Sequence, residues 1–261
     1  YRPLYKLEFA VDMLEKEELD TCSEFYSLIR RQVIEPIEES RLKTKIESLK
    51  PITNSVSQKV RSHYEVNPYP RWRTINNLRA QPLSSVVRQL FPNLKMSAPA
   101  LDEHRTEILI AGCGTGQTAL QACCRFTEPH VVAVDLSRAS LAYAQRRANE
   151  FSFNSINFLN GDILSLRDLS QNFDFIEAAG VLHHMDDPMV GWKVLRDLLR
   201  PTGFMKIALY SKIARRYIIA ARNLIMERFD GSDIQGIRKC RKQIIEQLGA
   251  NISYEGVHSL D

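Results

Sequence analysis

The hydrophobic and polar positions along the chain follow two regimes. From residue 107 onward, short apolar runs alternate with longer amphipathic segments. The runs are "EILIAG", "HVVAVD", "INFLNGD", "FDFIEAA" and "GFMKIALY". Between them lie "TGQTALQACCRF", "SRASLAYAQRRANEF" and "DDPMVGWKVLRDLLR". Nearly continuous apolar strands separated by amphipathic helices predict an α/β fold, a doubly wound and mostly parallel sheet covered on both faces. Ser137 is placed to cap the second helix, and Pro201 and Gly203 close the third.

Residues 1–104 read as a helical cap with a lid segment, and residues 105–261 as the main domain. "FAVDMLEKEELD", "CSEFYSLIRRQVIE" and "PIEESRLKTKIESLK" are rich in strong helix formers, and Pro36 suits a first turn. Thr53 can cap a further helix, "NSVSQKVRSHYEV", which stops at Asn67-Pro68 because the residue before proline avoids the α region. Three prolines make 73–104 a connector with one short helix, "LSSVVRQLF". After Tyr210 only helical segments are visible.

Composition narrows the picture. The 261 residues are 44% hydrophobic and 25% charged, with net charge +4. That is globular composition, too weakly basic to imply nucleic acid, although an RNA or acidic partner for the basic tail stays open. No apolar run reaches the ~18 residues of a membrane helix. Five cysteines without a CxxC pair read as reduced thiols in a cytoplasm. No metal site is expected.

Candidate chemistry gathers at the strand ends. "ILIAGCGTGQTAL" sets Gly112, Gly114 and Gly116 between the first strand and its helix. Glycines there let a ligand approach the backbone, and the helix start offers free N–H groups. A dinucleotide fingerprint, G-x-G-x-x-G, needs its third glycine where Gln117 stands, so a nicotinamide oxidoreductase is disfavoured. Asp135 ends the second strand, placed to accept ribose hydroxyls, with Leu136 against the base. Asp162 ends the third, placed to accept an exocyclic amine, with Ile163 as its apolar neighbour. Each acid alone could equally be a helix cap.

"EILIAGCGTG", "VVAVDLS", "NGDI" and "FDFIEAAGVLHH" together resemble the class I S-adenosylmethionine-dependent methyltransferases over roughly residues 105–210. The resemblance implies S-adenosylmethionine as cofactor. Its methionine part would lie on Gly112, Cys113, Gly114, Thr115 and Gly116, its ribose on Asp135, and its adenine against Leu136, Gly161, Asp162 and Ile163. Ala179 and Gly180 would complete the wall. "YRPL", "RRQVIEPIEE" and "VRSHYEVNPYPRW" are similar to a bacterial subgroup often fused to N-terminal tetratricopeptide repeats. A protein partner through such repeats is therefore an expectation, and the missing start methionine suggests that a repeat region is absent here. The resemblance implies an antiparallel strand pair after the fifth strand, so the chain is expected either to be cut short or to have those final strands replaced.

In "AAGVLHHMDDP", His183 and His184 are candidates for a general base or for a pocket wall, and Asp186 and Asp187 suit the cap of the next helix. "HYEVNPYPRW" reads as a lid: Tyr64, Tyr69 and Trp72 would exclude water, and Arg71 would pair with a carboxylate of cofactor or acceptor. The alternative is a hydrophobic clasp holding the cap to the sheet. Tyr210 is a candidate for the acceptor pocket. The methyl acceptor is an N, O or C atom of a protein, peptide or small molecule, and a non-catalytic cofactor-binding adaptor is the rival reading.

Overall fold

The computed structural model describes residues 3–6, 24–76, 78–94, 104–226 and 234–248. The helix expected at "FAVDMLEKEELD" lies outside these, as does everything after residue 248. Residues 1–209 form one compact unit and residues 210–261 a second.

The first unit opens with α1 (Glu24–Ile29), a π turn (Arg30–Ile34) and α2 (Glu35–Lys45), which follow one another without a break. Pro36 falls where the π turn passes into α2, and the continuous helical ladder lacks the one N–H that proline cannot supply. Next come β1 (Glu47–Ser48), α3 (Ser55–Val66) and α4 (Leu83–Leu90). The core then alternates: β2 (Glu107–Ala111), α5 (Gln117–Arg125), β3 (His130–Asp135), α6 (Arg138–Glu150), β4 (Ile156–Asn160), β5 (Phe173–Ala179), α7 (Pro188–Asp197) and β6 (Leu199–Ala208). All six strands pair in parallel, in the order β1-β4-β3-β2-β5-β6.

The sheet is covered on both faces, which explains why its strands are apolar throughout and not alternating. Ile108, Ile110, Val131 and Ala133 pack with α4, α5 and α6 on one side. Leu109, Ala111, Val132, Val134 and Ile176 pack with α7 on the other. The chain runs from β2 outward to β4, then returns to β5 on the far side of β2. That reversal leaves a crevice at the carboxyl ends of the central strands, where ligands of open α/β sheets bind.

Three expectations need correction. The segment to Lys50 was expected to be helical, but the helix stops at Lys45 and Glu47–Ser48 form an edge strand beside Leu159 and Asn160. A two-residue strand is created by its distant partner and leaves no local periodicity. The cap of α3 is Asn54, not Thr53: its side chain accepts from the Ser57 N–H at 2.9 Å. Finally, β6 begins at Leu199 instead of Gly203, and Pro201 lies within it. Phe173 pairs with Leu199 but Phe175 pairs with Phe204, so an irregularity there takes up the proline.

The second unit contains α8 (Arg216–Met226) and α9 (Ile234–Leu248). No helix among the described residues is long and apolar enough to cross a membrane.

Candidate active site

A cavity of about 370 Å³ lies at the carboxyl ends of β2 to β5. After β2 the chain turns through Gly112, Gly114 and Gly116, at φ of 70°, 52° and 83°. Gly112 and Cys113 both donate to the Val134 carbonyl, at 2.8 and 3.0 Å, so the turn is bound to the end of β3. Gly112, Cys113, Gly114 and Thr115 line the cavity. Gly116 does not; it sits one step back as the left-handed cap of α5, against Ala144 of α6. Burial, and next the nearby Asp135 charge, push the Cys113 thiol well above the usual range, so it is a protonated wall and not a nucleophile.

Asp135 joins the next strand to this turn. Its Oδ2 accepts from the Gly114 N–H at 2.8 Å and its Oδ1 from the Ser137 N–H at 2.9 Å. Burial raises its pKa, and these donors only partly offset that. Ser137 caps α6, accepting from the Ser140 N–H at 3.1 Å. The same helix start receives Glu65 from α3, whose Oε2 accepts from Ser137 Oγ at 3.0 Å and Ala139 N–H at 3.2 Å. Burial would raise the Glu65 pKa, but Lys43 at 2.6 Å and these donors outweigh it and hold the pKa low. A carboxylate at a helix N-terminus thus ties α3 across the cavity.

At the end of β4, Asn160 Nδ2 donates to the carbonyls of Asp135 and Leu136, at 3.1 and 2.8 Å, fixing Leu136 in the wall. Gly161, Asp162 and Ile163 follow in the lining. Asp162 is buried and caps a short 3-10 helix, Ile163–Asp168, by accepting from the Leu164 N–H at 3.0 Å. Its cap role and its place in the cavity coexist. A Cβ on Gly161 would meet Leu49 Cδ1 at 2.9 Å, so the residue directly after the edge strand also shapes this wall.

After β5 come Ala179 and Gly180, the latter at φ 73° with open space where a Cβ would be. The two histidines lie in a 3-10 turn, Leu182–His184, with ring centres 4.3 Å apart. His184 lines the cavity, edge-on to Tyr64 at 6.3 Å; His183 is not in the lining. Asp187 caps α7 through the Met189 N–H at 2.8 Å.

The stiff aromatic segment divides between its two readings. Tyr64, Tyr69 and Pro70 line the cavity. Arg71 and Trp72 do not. Arg71 grips Glu39 with both guanidinium nitrogens, at 3.1 and 2.7 Å, and lies over the Tyr143 ring. Its carboxylate therefore belongs to α2 and not to a ligand. Trp72 is buried and donates from Nε1 to the Thr115 carbonyl at 2.9 Å. Thr115 Oγ1 in turn donates to the Pro70 carbonyl at 2.5 Å. Trp72 is thus a clasp on the glycine turn, and its neighbours Tyr69 and Pro70 are held over the cavity by it. Tyr210 opens the second unit.

Sequence reasoning missed Ser57 and Val60, which line the cavity from α3 together with Tyr64. Their i, i+3, i+7 spacing marks one helix face and was a usable signal. It also missed Gln117, Thr118 and Ser140 from first helical turns, and Val181 and Met185 beside the histidines.

Residues 108–203 match the model of a methyltransferase domain family. Over those residues the chain is similar to the class I S-adenosylmethionine-dependent methyltransferases. The chain is 33% identical over 151 residues to an uncharacterized protein of Synechococcus sp., covering 56% of this chain and 36% of that one. It is 33% identical over 109 residues to the malonyl-[acyl-carrier protein] O-methyltransferase of Halalkalibacterium halodurans, covering 41% and 39%. This chain thus spans well under half the length of either relative. Among solved structures, PKMT2 from Rickettsia typhi overlays with a TM-score of 0.52 at 21% identity, covering 71% of this chain and 35% of that one, a likeness of fold.

Proposed function

We propose that the chain transfers the methyl group of S-adenosylmethionine to an N, O or C atom of a protein, peptide or small molecule. One observation carries this: the glycine turn, Asp135 and the Asp162–Ile163 pair, read from three separate strand ends, line one cavity. The residues suit the cofactor. Gly114 leaves its cavity side open, its nearest neighbour to a Cβ being the Tyr69 carbonyl at 3.8 Å. The cavity volume falls within the ~300–1,000 Å³ of small-ligand sites.

In this reading the turn from Gly112 to Thr115 holds the amino-acid part, Asp135 accepts from the ribose hydroxyls, and Leu136 and Ile163 flank the adenine, whose amine donates to Asp162. When bound, the cofactor supplies an electrophilic methyl group on a sulfonium. Transfer to an aligned acceptor disperses that positive charge, so a cavity that excludes water favours it. Tyr64, Tyr69 and Pro70 provide the exclusion. His184 is the titratable side chain positioned to take an acceptor proton, while His183 supports the turn beside it. The chain acts in the cytoplasm, a reading supported by four free cysteines among the described residues.

Asp135 gives the proposal a pH signature. Its folded pKa is raised. Acidification through that pKa protonates an acceptor of the ribose, so S-adenosylhomocysteine affinity falls on the acid side, starting above the usual aspartate range. The same residue acts oppositely on the free protein: a raised folded pKa contributes stability below the unfolded pKa and loses it as pH rises through the folded one. Calorimetric affinities across pH, beside urea midpoints of the free protein, check both signs.

Labelled methyl groups test the activity. The chain is incubated with methyl-tritiated S-adenosylmethionine and cell extract separated into protein, RNA and small-molecule fractions. Label is expected in the protein or small-molecule fraction, and absent with Asp135→Ala. Tight binding of S-adenosylhomocysteine with no label in any fraction would instead establish the adaptor reading.

A further inference from the structure

A second cavity, of about 270 Å³, opens between the π turn, residues 71–73 and α6. Six arginines line it: Arg30, Arg31, Arg71, Arg73, Arg146 and Arg147. The carboxylates paired with them are Glu35, Glu39 and Glu150. Six positive charges against three negative leave an excess of three. A clamp needed only to hold the helical cap to α6 would be served by matched pairs, because like charges crowded together repel.

The surplus is placed to be used. Arg146 is 3% exposed and meets all three carboxylates, at 3.2 Å for Glu35, 3.0 Å for Glu39 and 3.3 Å for Glu150. Its Nη1 nevertheless has no hydrogen-bond partner of good geometry, and neither has the buried Nε of Arg147. The Arg147 guanidinium lies against the Trp72 and Phe151 rings and bonds to the Arg73 carbonyl and Glu150. Arg31 and Arg73 are exposed at the cavity and have no carboxylate partner among the described residues. Planar guanidinium forks match phosphate oxygens two at a time.

We propose that this cavity binds a small phosphate-bearing anion, taken by Arg31 and Arg73 with Arg30 and Arg147 behind them. It shares no lining residue with the methyl-transfer cavity. The two are joined through the strap, since Arg71 and Trp72 follow directly on Tyr69 and Pro70. The site takes one or two phosphate groups with a small organic part. Its concavity and size suit a phosphomonoester and not the face of a nucleic acid duplex.

The test is calorimetric titration of the 261-residue chain with inorganic phosphate and with ribose 5-phosphate, neither of which carries an adenine that could enter the other cavity. Saturable binding at one site is expected. Tighter binding of the sugar phosphate would mark an organic phosphate ligand, and equal binding would mark recognition of the phosphate group itself. The exposed pair Arg31→Ala/Arg73→Ala weakens binding about tenfold or more. S-adenosylhomocysteine affinity, if present in the parent, stays unchanged in that variant and reports its fold. Absence of saturable binding by the parent chain would overturn the proposal. So would equal weakening by the exposed pair Arg88→Ala/Arg167→Ala, on elements that contribute nothing to this lining, which would reduce the effect to diffuse charge.

Discussion

Replacing Asp135 with alanine weakens S-adenosylhomocysteine binding by about a hundredfold or more and also destabilises the fold. Charge-assisted hydrogen bonds contribute about 1.5–3 kcal/mol each, and the ribose would donate two of them. The stability loss has a separate cause. Asp135 accepts from the Gly114 and Ser137 N–H groups, and Ser137 is fully buried. Orphaned buried donors cost about 1–3 kcal/mol each, so a loss of about 2–3 kcal/mol is expected after relief of the desolvated carboxyl. Asp135→Asn keeps one acceptor and recovers part of the stability, but little of the affinity. Calorimetry and urea midpoints on the three proteins read the two effects separately. An alanine variant that binds like the parent would remove Asp135 from the site.

Gly116→Ala lowers stability by about 2–5 kcal/mol, whereas Gly114→Ala costs about 1–2 kcal/mol and chiefly impairs binding. Both glycines have positive φ, so each alanine suffers left-handed strain of about 1–2 kcal/mol. They differ in their surroundings. A Cβ on Gly116 would lie 2.5 Å from the Ala144 Cβ and 3.2 Å from its Cα, and relief requires moving α6. Overpacking of this kind adds about 1–3 kcal/mol. A Cβ on Gly114 meets nothing closer than 3.8 Å, but it projects where the backbone borders the cavity. Denaturant melts should therefore separate the pair, and cofactor titration should separate them in the opposite sense for Gly114. Equal melts would contradict the packing argument.

How much of this was legible depends on whether the cause was local. The apolar runs of β2 to β5 and the helices after them are local patterns, and their bounds agree with the structure to within a few residues. The positions expected around the cofactor, Gly116 aside, line one cavity because strand ends in a parallel sheet converge there. β1 was hidden, since Glu47 and Ser48 become a strand only through Leu159 and Asn160. Thr53 and Asn54 are both cap-forming types one residue apart, and only the chain direction into α3 selects the second. The strap exposed the limit most clearly. Residue types in "YPRW" announced water exclusion and charge pairing, but not that Arg71 turns to Glu39, 32 residues earlier, while Trp72 buries itself against Thr115. Direction of a side chain in an irregular segment is set by tertiary partners, which composition does not name.

The most direct test of the central claim is thermal unfolding of the chain with S-adenosylmethionine, S-adenosylhomocysteine and NAD added separately. A ligand at ~100 times its Kd adds about 2.7 kcal/mol to stability. At roughly 2–4 °C per kcal/mol for a chain near this size, the first two should each raise Tm by roughly 5–10 °C, and NAD should leave it unchanged. A shift with NAD, or none with S-adenosylhomocysteine, would contradict the reading of the glycine turn and of the cavity it borders.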